Sequence, residues 1–232
     1  MDLKNETTNQ YVEGVSVSGN IGSHTYVDLG LKSGLKWATC NVGASAPTDY
    51  GDYFAWGETI PKKNYSWKTY KWCMNNHKKH TKYCTSKLYG VVDKRLILDE
   101  EDDAATANWG QEWRMPSIAD LKELIRSCNW KFTDNFNGSK IAGMIGVSKK
   151  NKNVIFFPAS GYFSISNILK LGVYCYVWSS SLEKKYPDGA YSLGCEGHDI
   201  GLENNVMLAS YDLKGDYRAY GQSVRAVVRP FV

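Results

Sequence analysis

Four side chains with metal-ligand chemistry fall within 12 residues: Cys73, His77, His80 and Cys84. Thiolate sulfur and imidazole nitrogen are the usual ligands of zinc, so this cluster raises the metal question first. On one continuous helix the four would spread along about 16 Å, too far to ring a single ion. A loop could gather them, but their spacing matches no structural zinc signature. Histidines exposed in a basic loop, with a Cys73–Cys84 bridge as an option, account for them more simply. Asp99–Asp103 (DEEDD) offers the hard oxygens that calcium takes. It lacks the alternating spacing and the glycine of an EF-hand loop, and capping of a following helix explains its later acids. We therefore expect no metal and no cofactor. Nucleophilic chemistry is as poorly supported. There is no GxSxG elbow, no GxGxxG and no phosphate-binding GKS or GKT. Cys195 and His198 stand three apart in a Gly-rich turn, which is weak ground for a dyad. The expectation is a protein that is not an enzyme.

Recognition chemistry is richer. Pro61–Lys87 holds eight Lys, two His and no acid, interleaved with Tyr65, Trp67, Tyr70, Trp72 and Tyr83. Lysines with stacking rings can hold a single nucleic-acid strand or an anionic polysaccharide. Yet the chain has only six Arg, none of them here, and its net charge is +4, so nucleic acid is not the expected partner. The basic block and the acidic run that follows it predict two loops facing one another. A second concentration lies between Trp178 and Arg225: Tyr186, Asp188, Tyr191, Glu196, His198, Tyr211, Asp216, Tyr217, Arg218 and Tyr220. Tyr gives amphipathic contact with few rotamers to freeze, and small polar residues give adaptable loops, the mix found in binding surfaces. These ten are the candidate ligand-binding residues, against the alternative that half of the tyrosines pack between strands.

These side chains need a frame. A chain of 232 residues, 43% hydrophobic and 22% charged, can bury a substantial core. The longest apolar run, Val154–Ala159, is too short to span a membrane and contains a proline. Residues 1–24 are polar and read as a tether or an added edge strand. Residues 25–232 carry no linker and read as one domain. Short strands are expected at Tyr26–Leu31, Leu35–Cys40 and Asp52–Glu58. The clearest helix is Ser117–Cys128, where Ser117 can cap, Asp120 can complete a capping box, and Ile118, Leu121, Leu124, Ile125 and Cys128 share one face. A shorter helix is expected through Asp102–Asn108. After Trp130 the pattern is strand and loop to the end, with strands at Val154–Phe157, Val173–Ser179, Ala190–Cys195, Val206–Tyr211 and Ser223–Val228. The sum is α+β: short helices packed on mainly antiparallel twisted sheets with long loops. Six cysteines permit up to three disulfides, whose pairing stays open. The first ten residues, MDLKNETTNQ, show no apolar leader region.

Three stretches together carry a resemblance. Tyr26–Glu58 (YVDLGLKSGLKWATCNVGASAPTDYGDYFAWGE), Asp102–Leu124 (DDAATANWGQEWRMPSIADLKEL) and the pair Val177–Ser181 (VWSSS) with Gly221–Val227 (GQSVRAV) resemble the Fibrobacter succinogenes major paralogous domain family. The resemblance runs in order over roughly residues 25–230. It implies a C-type lectin-like fold, related to the variable proteins of diversity-generating retroelements and to formylglycine-generating enzymes. It also implies export in Bacteroidetes, with cell surface or phage particle as the setting and the cytoplasm as the alternative. Trp37, Trp56, Trp109 and Trp178 stand beside Gly, Ala or Ser and, with Trp113, read as structural, as do Arg114 and Arg225, which should pin loops to the core. The calcium-dependent lectin tripeptides are missing: the nearest strings are Tyr186-Pro187-Asp188 and Trp178-Ser179-Ser180. No catalytic cysteine motif is present either. What the resemblance implies is a non-catalytic domain that recognises a protein or glycan, for example as a phage receptor-binding or adhesion module. The alternatives are a structural or adhesive subunit and, behind it, an enzyme of the formylglycine-generating branch.

Overall fold

Ser117 opens the longest helix with a reciprocal cap. Its hydroxyl accepts from the Asp120 N–H at 3.2 Å, and the Asp120 carboxylate accepts from the Ser117 N–H at 2.7 Å. Two orphan donors of the first turn are satisfied at once. The computed structural model describes residues 14–196, 206–209 and 216–229. Among them are two α-helices, α1 (Ala104–Trp109) and α2 (Ile118–Ser127). Asp103 caps α1, its side chain accepting from the Thr106 N–H at 3.0 Å. Of the two later acids expected to cap it, Asp103 does so; Asp102 instead accepts from the Lys82 ammonium and the Tyr83 hydroxyl, both at 2.7 Å.

The strands in chain order are β1 (Gly19–Ile21), β2 (His24–Asp28), β3 (Lys36–Ala38), β4 (Tyr53–Phe54), β5 (Trp113–Arg114), β6 (Cys128–Thr133), β7 (Gly143–Ser148) and β8 (Val154–Pro158). They continue with β9 (Tyr162–Ser164), β10 (Asn167–Leu169), β11 (Tyr174–Leu182), β12 (Gly189–Glu196), β13 (Val206–Ala209), β14 (Asp216–Tyr217), β15 (Gln222–Ser223) and β16 (Val227–Val228). One sheet runs β1-β2-β3-β16-β5, and a larger one runs β13-β12-β11-β15-β4 with β14 beside β12. A meander β6-β7-β8 and the hairpin β9-β10 complete the set. Every strand pair is antiparallel except β11 with β15. The architecture is α+β with mainly antiparallel sheets.

Three expected elements differ. The C-terminal strand predicted over Ser223–Val228 is split into β15 and β16. Arg225 sits between them, fully buried, donating to Asn41 Oδ1 (3.0 Å), to the Ala38 and Thr39 carbonyls (3.2 and 3.3 Å) and to the Phe156 carbonyl (3.0 Å). It pins three segments together. The strand predicted over Asp52–Glu58 shortens to two residues, because the chain turns at Gly57 with φ 76°. The β11 strand outruns its prediction, reaching Leu182 past a register shift between Trp178 and Leu182.

Two main cores result. Leu121 and Leu124 of α2 pack with Val27, Trp37, Ile155, Phe157, Cys175, Val177, Leu193 and Cys195. Trp56, Trp113 and Trp178, all fully buried, centre the other, with Phe54, Tyr83, Ala226 and Val228. Trp56 and Trp178 interlock: Trp56 Nε1 donates to the Ser179 carbonyl (2.7 Å), and Trp178 Nε1 donates to the Phe54 carbonyl (2.8 Å). Trp109 is half-buried, its ring stacked on His24 at 3.9 Å and meeting Trp113 edge-on at 5.2 Å. Arg114 donates to the Met115 carbonyl and pairs with Asp120 at 2.7 Å, holding the entry to α2.

Candidate ligand-binding face

Residues 174–177 of β11 sort their side chains by parity. Cys175 and Val177 enter the core, whereas Tyr174 and Tyr176 stand half-exposed on the opposite face. From these two a row of rings crosses the molecule. Tyr174 and Tyr176 lie parallel at 5.5 Å, Tyr176 meets Tyr162 at 5.4 Å, Tyr162 meets Tyr220 at 5.3 Å, and Tyr220 meets Tyr217 at 5.4 Å. Tyr217 then contacts Trp67 at 5.8 Å, and Trp67 reaches His77 at 6.1 Å. All of these rings are half-exposed. They come from β9, β11, β14, the turn after β14 and the long loop between β4 and α1. Offset and edge-to-face contacts of this kind fix each ring and leave part of it open to a ligand.

Carboxylates line the row. Asp216 Oδ2 accepts from the Ser192 hydroxyl (2.7 Å) and from Gln222 Nε2 (2.8 Å). Burial raises its pKa, and those two hydrogen bonds only partly offset the effect. Among the described residues no cation pairs with it. Asp188 is almost fully buried, with His77 Nδ1 3.3 Å from its Oδ2. Acceptors set among amphipathic rings suit a ligand rich in hydroxyl or N–H donors.

The ten expected binding residues separate. Tyr217, Tyr220 and Asp216 join the ring row, while Asp188 is almost fully buried and meets it only through His77. Tyr186 carries the turn that leads to β12, its carbonyl accepting from the Gly189 N–H at 2.9 Å, with the Lys185 ammonium 5.1 Å from its ring. Tyr191 has the parity of Leu193 and Cys195 on β12 and so belongs to the other face. Glu196 pairs with Tyr174 in the strand register. His198 and Tyr211 lie outside the described residues. Arg218 corrects the expectation most sharply. It is fully buried, donating from Nε to the Tyr70 hydroxyl (2.9 Å), from one terminal nitrogen to the Tyr83 and Pro187 carbonyls (2.8 and 2.7 Å), and from the other to the Lys82 carbonyl (3.1 Å). Its guanidinium lies 5.0 Å from the Trp56 ring centroid and 5.2 Å from that of Tyr70. Arg218 therefore locks the long loop beneath the face instead of meeting solvent. Tyr162, Tyr174 and Tyr176 are the members that sequence reasoning missed, and Trp67 and His77, singled out in the basic segment, were not connected to this face. The Tyr174-x-Tyr176 alternation was the signal available for two of them.

The Cys/His cluster does not converge. Cys73 Sγ points to the Trp67 carbonyl (3.2 Å), Cys84 Sγ to the Ser86 carbonyl (3.1 Å), His77 to Asp188, and His80 Nδ1 lies 3.4 Å from the Trp72 carbonyl. The optional Cys73–Cys84 bridge is not made, and all six cysteines are free. Burial, reinforced by Arg218, pushes the His80 pKa down to about 3, so this ring is neutral as it packs edge-on to Trp67 at 5.5 Å. Among the described residues, Asp99, Glu101 and Asp102 do bring three ligand oxygens within 4.8 Å. The Lys82 ammonium bonds all three, at 2.7, 3.1 and 2.7 Å. Burial opposes that charge, but the hydrogen bonds to Asp102, Asp99 and Glu101 outweigh it and raise the lysine pKa. With Lys71 also reaching Asp102 at 3.3 Å, the basic and acidic blocks face one another as their charges predict. No helix among the described residues is long and apolar enough to cross a membrane. No family model, curated protein or solved structure matches the chain.

Proposed function

We propose that the protein is a non-catalytic recognition domain of C-type lectin-like fold, displayed on a bacterial cell surface or a phage particle, and that it binds a protein or glycan. The carrying observation is the half-exposed ring row Tyr174–Tyr176–Tyr162–Tyr220–Tyr217–Trp67, flanked by Asp216 and Asp188 and locked from below by Arg218. Its parts come from distant segments held by a rigid frame, the condition for a preorganised binding surface. The order of the motifs in the resembling stretches supports the same reading. A glycan array and a cell-surface binding screen with the purified protein test it. A hit that weakens at least tenfold on Trp67→Ala or Tyr220→Ala is the expected result. A ligand that binds both variants as tightly as the parent places the site elsewhere.

One observation favours a structural or adhesive subunit as a second reading. The β9-β10 hairpin leaves Ile165, Ile168, Leu169 and Leu171 exposed in one short stretch. Light scattering across a concentration series separates the two, because self-association through this hairpin raises the mass whereas a monomeric receptor-binding domain keeps it constant.

A further inference from the structure

Cys175 and Cys195 face each other across β11 and β12 in direct register. The kind of pairing can be worked out from the neighbouring residue. The Tyr174 N–H donates to the Lys170 carbonyl, and its carbonyl accepts from Gly161, so both Tyr174 backbone groups point away from β12. The next residue must then point its N–H and carbonyl toward β12, which makes Cys175 and Cys195 a hydrogen-bonded pair. The α-carbons of such a pair lie about 5.5 Å apart, within the range a disulfide spans. Both side chains enter the same core, Cys175 fully and Cys195 almost fully buried. The neighbouring Cys175 thiol, together with burial, raises the Cys195 pKa well above the ordinary range. Cys175 Sγ also lies 3.2 Å from the Phe157 carbonyl.

We propose that Cys175 and Cys195 are a disulfide-forming pair that closes across β11 and β12 while the chain folds under oxidising conditions. Each thiol gives up a proton and the two sulfurs give up two electrons. An oxidised glutathione or the disulfide of an oxidoreductase takes them up and becomes two thiols. The timing follows from burial. Thiolate is the attacking species, and a protonated thiol sealed in an apolar core does not attack, so the bond forms before the core closes and resists reduction afterwards. Its location gives it a role. Cys195 also pairs with Val206 of β13, so the bond lies at the root of the β12-β13 connection, one residue from Tyr174 and Tyr176.

The test uses the full chain, unfolded, fully reduced, and refolded in a glutathione redox buffer. Free thiols are then alkylated under denaturing conditions, and the protein is digested without reductant. The expected result is a peptide pair joined through Cys175 and Cys195, an intact mass lower by two hydrogens, and four alkylated cysteines where the reduced chain has six. Alkyl label on both Cys175 and Cys195 overturns the proposal, as does a bond from either one to any other cysteine.

Discussion

Replacing Arg218 with Met keeps the aliphatic stem and deletes the guanidinium. Four acceptors then lose their donors: the Tyr70 hydroxyl and the Lys82, Tyr83 and Pro187 carbonyls. Tyr70 keeps its own donation to the Trp56 carbonyl at 2.7 Å, so its loss is the mildest. An orphaned buried acceptor costs about 1–3 kcal/mol, less wherever water can enter. With three carbonyls affected and some relief by solvent, the variant should lose about 3–5 kcal/mol, in line with other broken buried networks. For a domain of this size that is a fall in Tm of roughly 6–20 °C. Arg218→Lys should rescue little, since one ammonium cannot reproduce the fork that bridges three segments. Thermal melts followed by near-UV circular dichroism read the stability, and limited proteolysis reads the loop, with new cuts expected in residues 61–99. A Met variant that melts within about 2 °C of the parent yet loses ligand binding refutes the lock and returns Arg218 to the face.

Trp113→Ala deletes a fully buried ring whose Nε1 has no partner, so the loss is one of packing, about 3–5 kcal/mol; Tyr217→Ala and Tyr220→Ala, at half-exposed rings, should cost about 1 kcal/mol or less while weakening binding. Equal melting of all three variants would place those tyrosines in the core. The folded pKa of His80, about 3, lies below its unfolded value near 6.5, so the folded state binds fewer protons and its stability contribution is lost as pH falls between those values. By pH 4 this amounts to something on the order of 3 kcal/mol, and a His80→Gln variant should show a flatter stability profile in titrated melts. Chelator should shift Tm by no more than a degree or two, because the Lys82 ammonium already bonds the Asp99, Glu101 and Asp102 carboxylates; a larger fall would mean that a metal supports the fold.

Features carried by neighbours in sequence were legible. Ser117 and Asp120 announce their capping box at a spacing of three, and the Lys-rich and acidic blocks announce their pairing by sign alone. The burial of Trp56, Trp178 and Arg225 followed from large or charged groups set beside small residues, whereas Trp113, between Glu112 and Arg114, gave no such local signal. The ring row was only partly legible because its members sit at residues 67, 162, 174, 176, 217 and 220, and only tertiary pairing makes them adjacent. Arg218 was misplaced for a related reason. Flanked by Asp216, Tyr217 and Tyr220 it has the company of a surface residue, and nothing local reveals three carbonyls waiting for it from residues 82, 83 and 187.

The parity of β11 has a consequence for how this protein can change. Residues 175 and 177 face the core and residues 174 and 176 do not, so the first four residues of β11 carry two sets of positions with opposite tolerance, whereas the strand is buried on both sides from Val177 to Leu182. The turn after β14 repeats the division, with Arg218 fixed between Tyr217 and Tyr220. A saturation library over residues 174–177 and 217–220, sorted for folded protein, should come back conserved at 175, 177, 218 and 219 and free at 174, 176, 217 and 220. The exposed face can then change quickly in a chain whose architecture stays still.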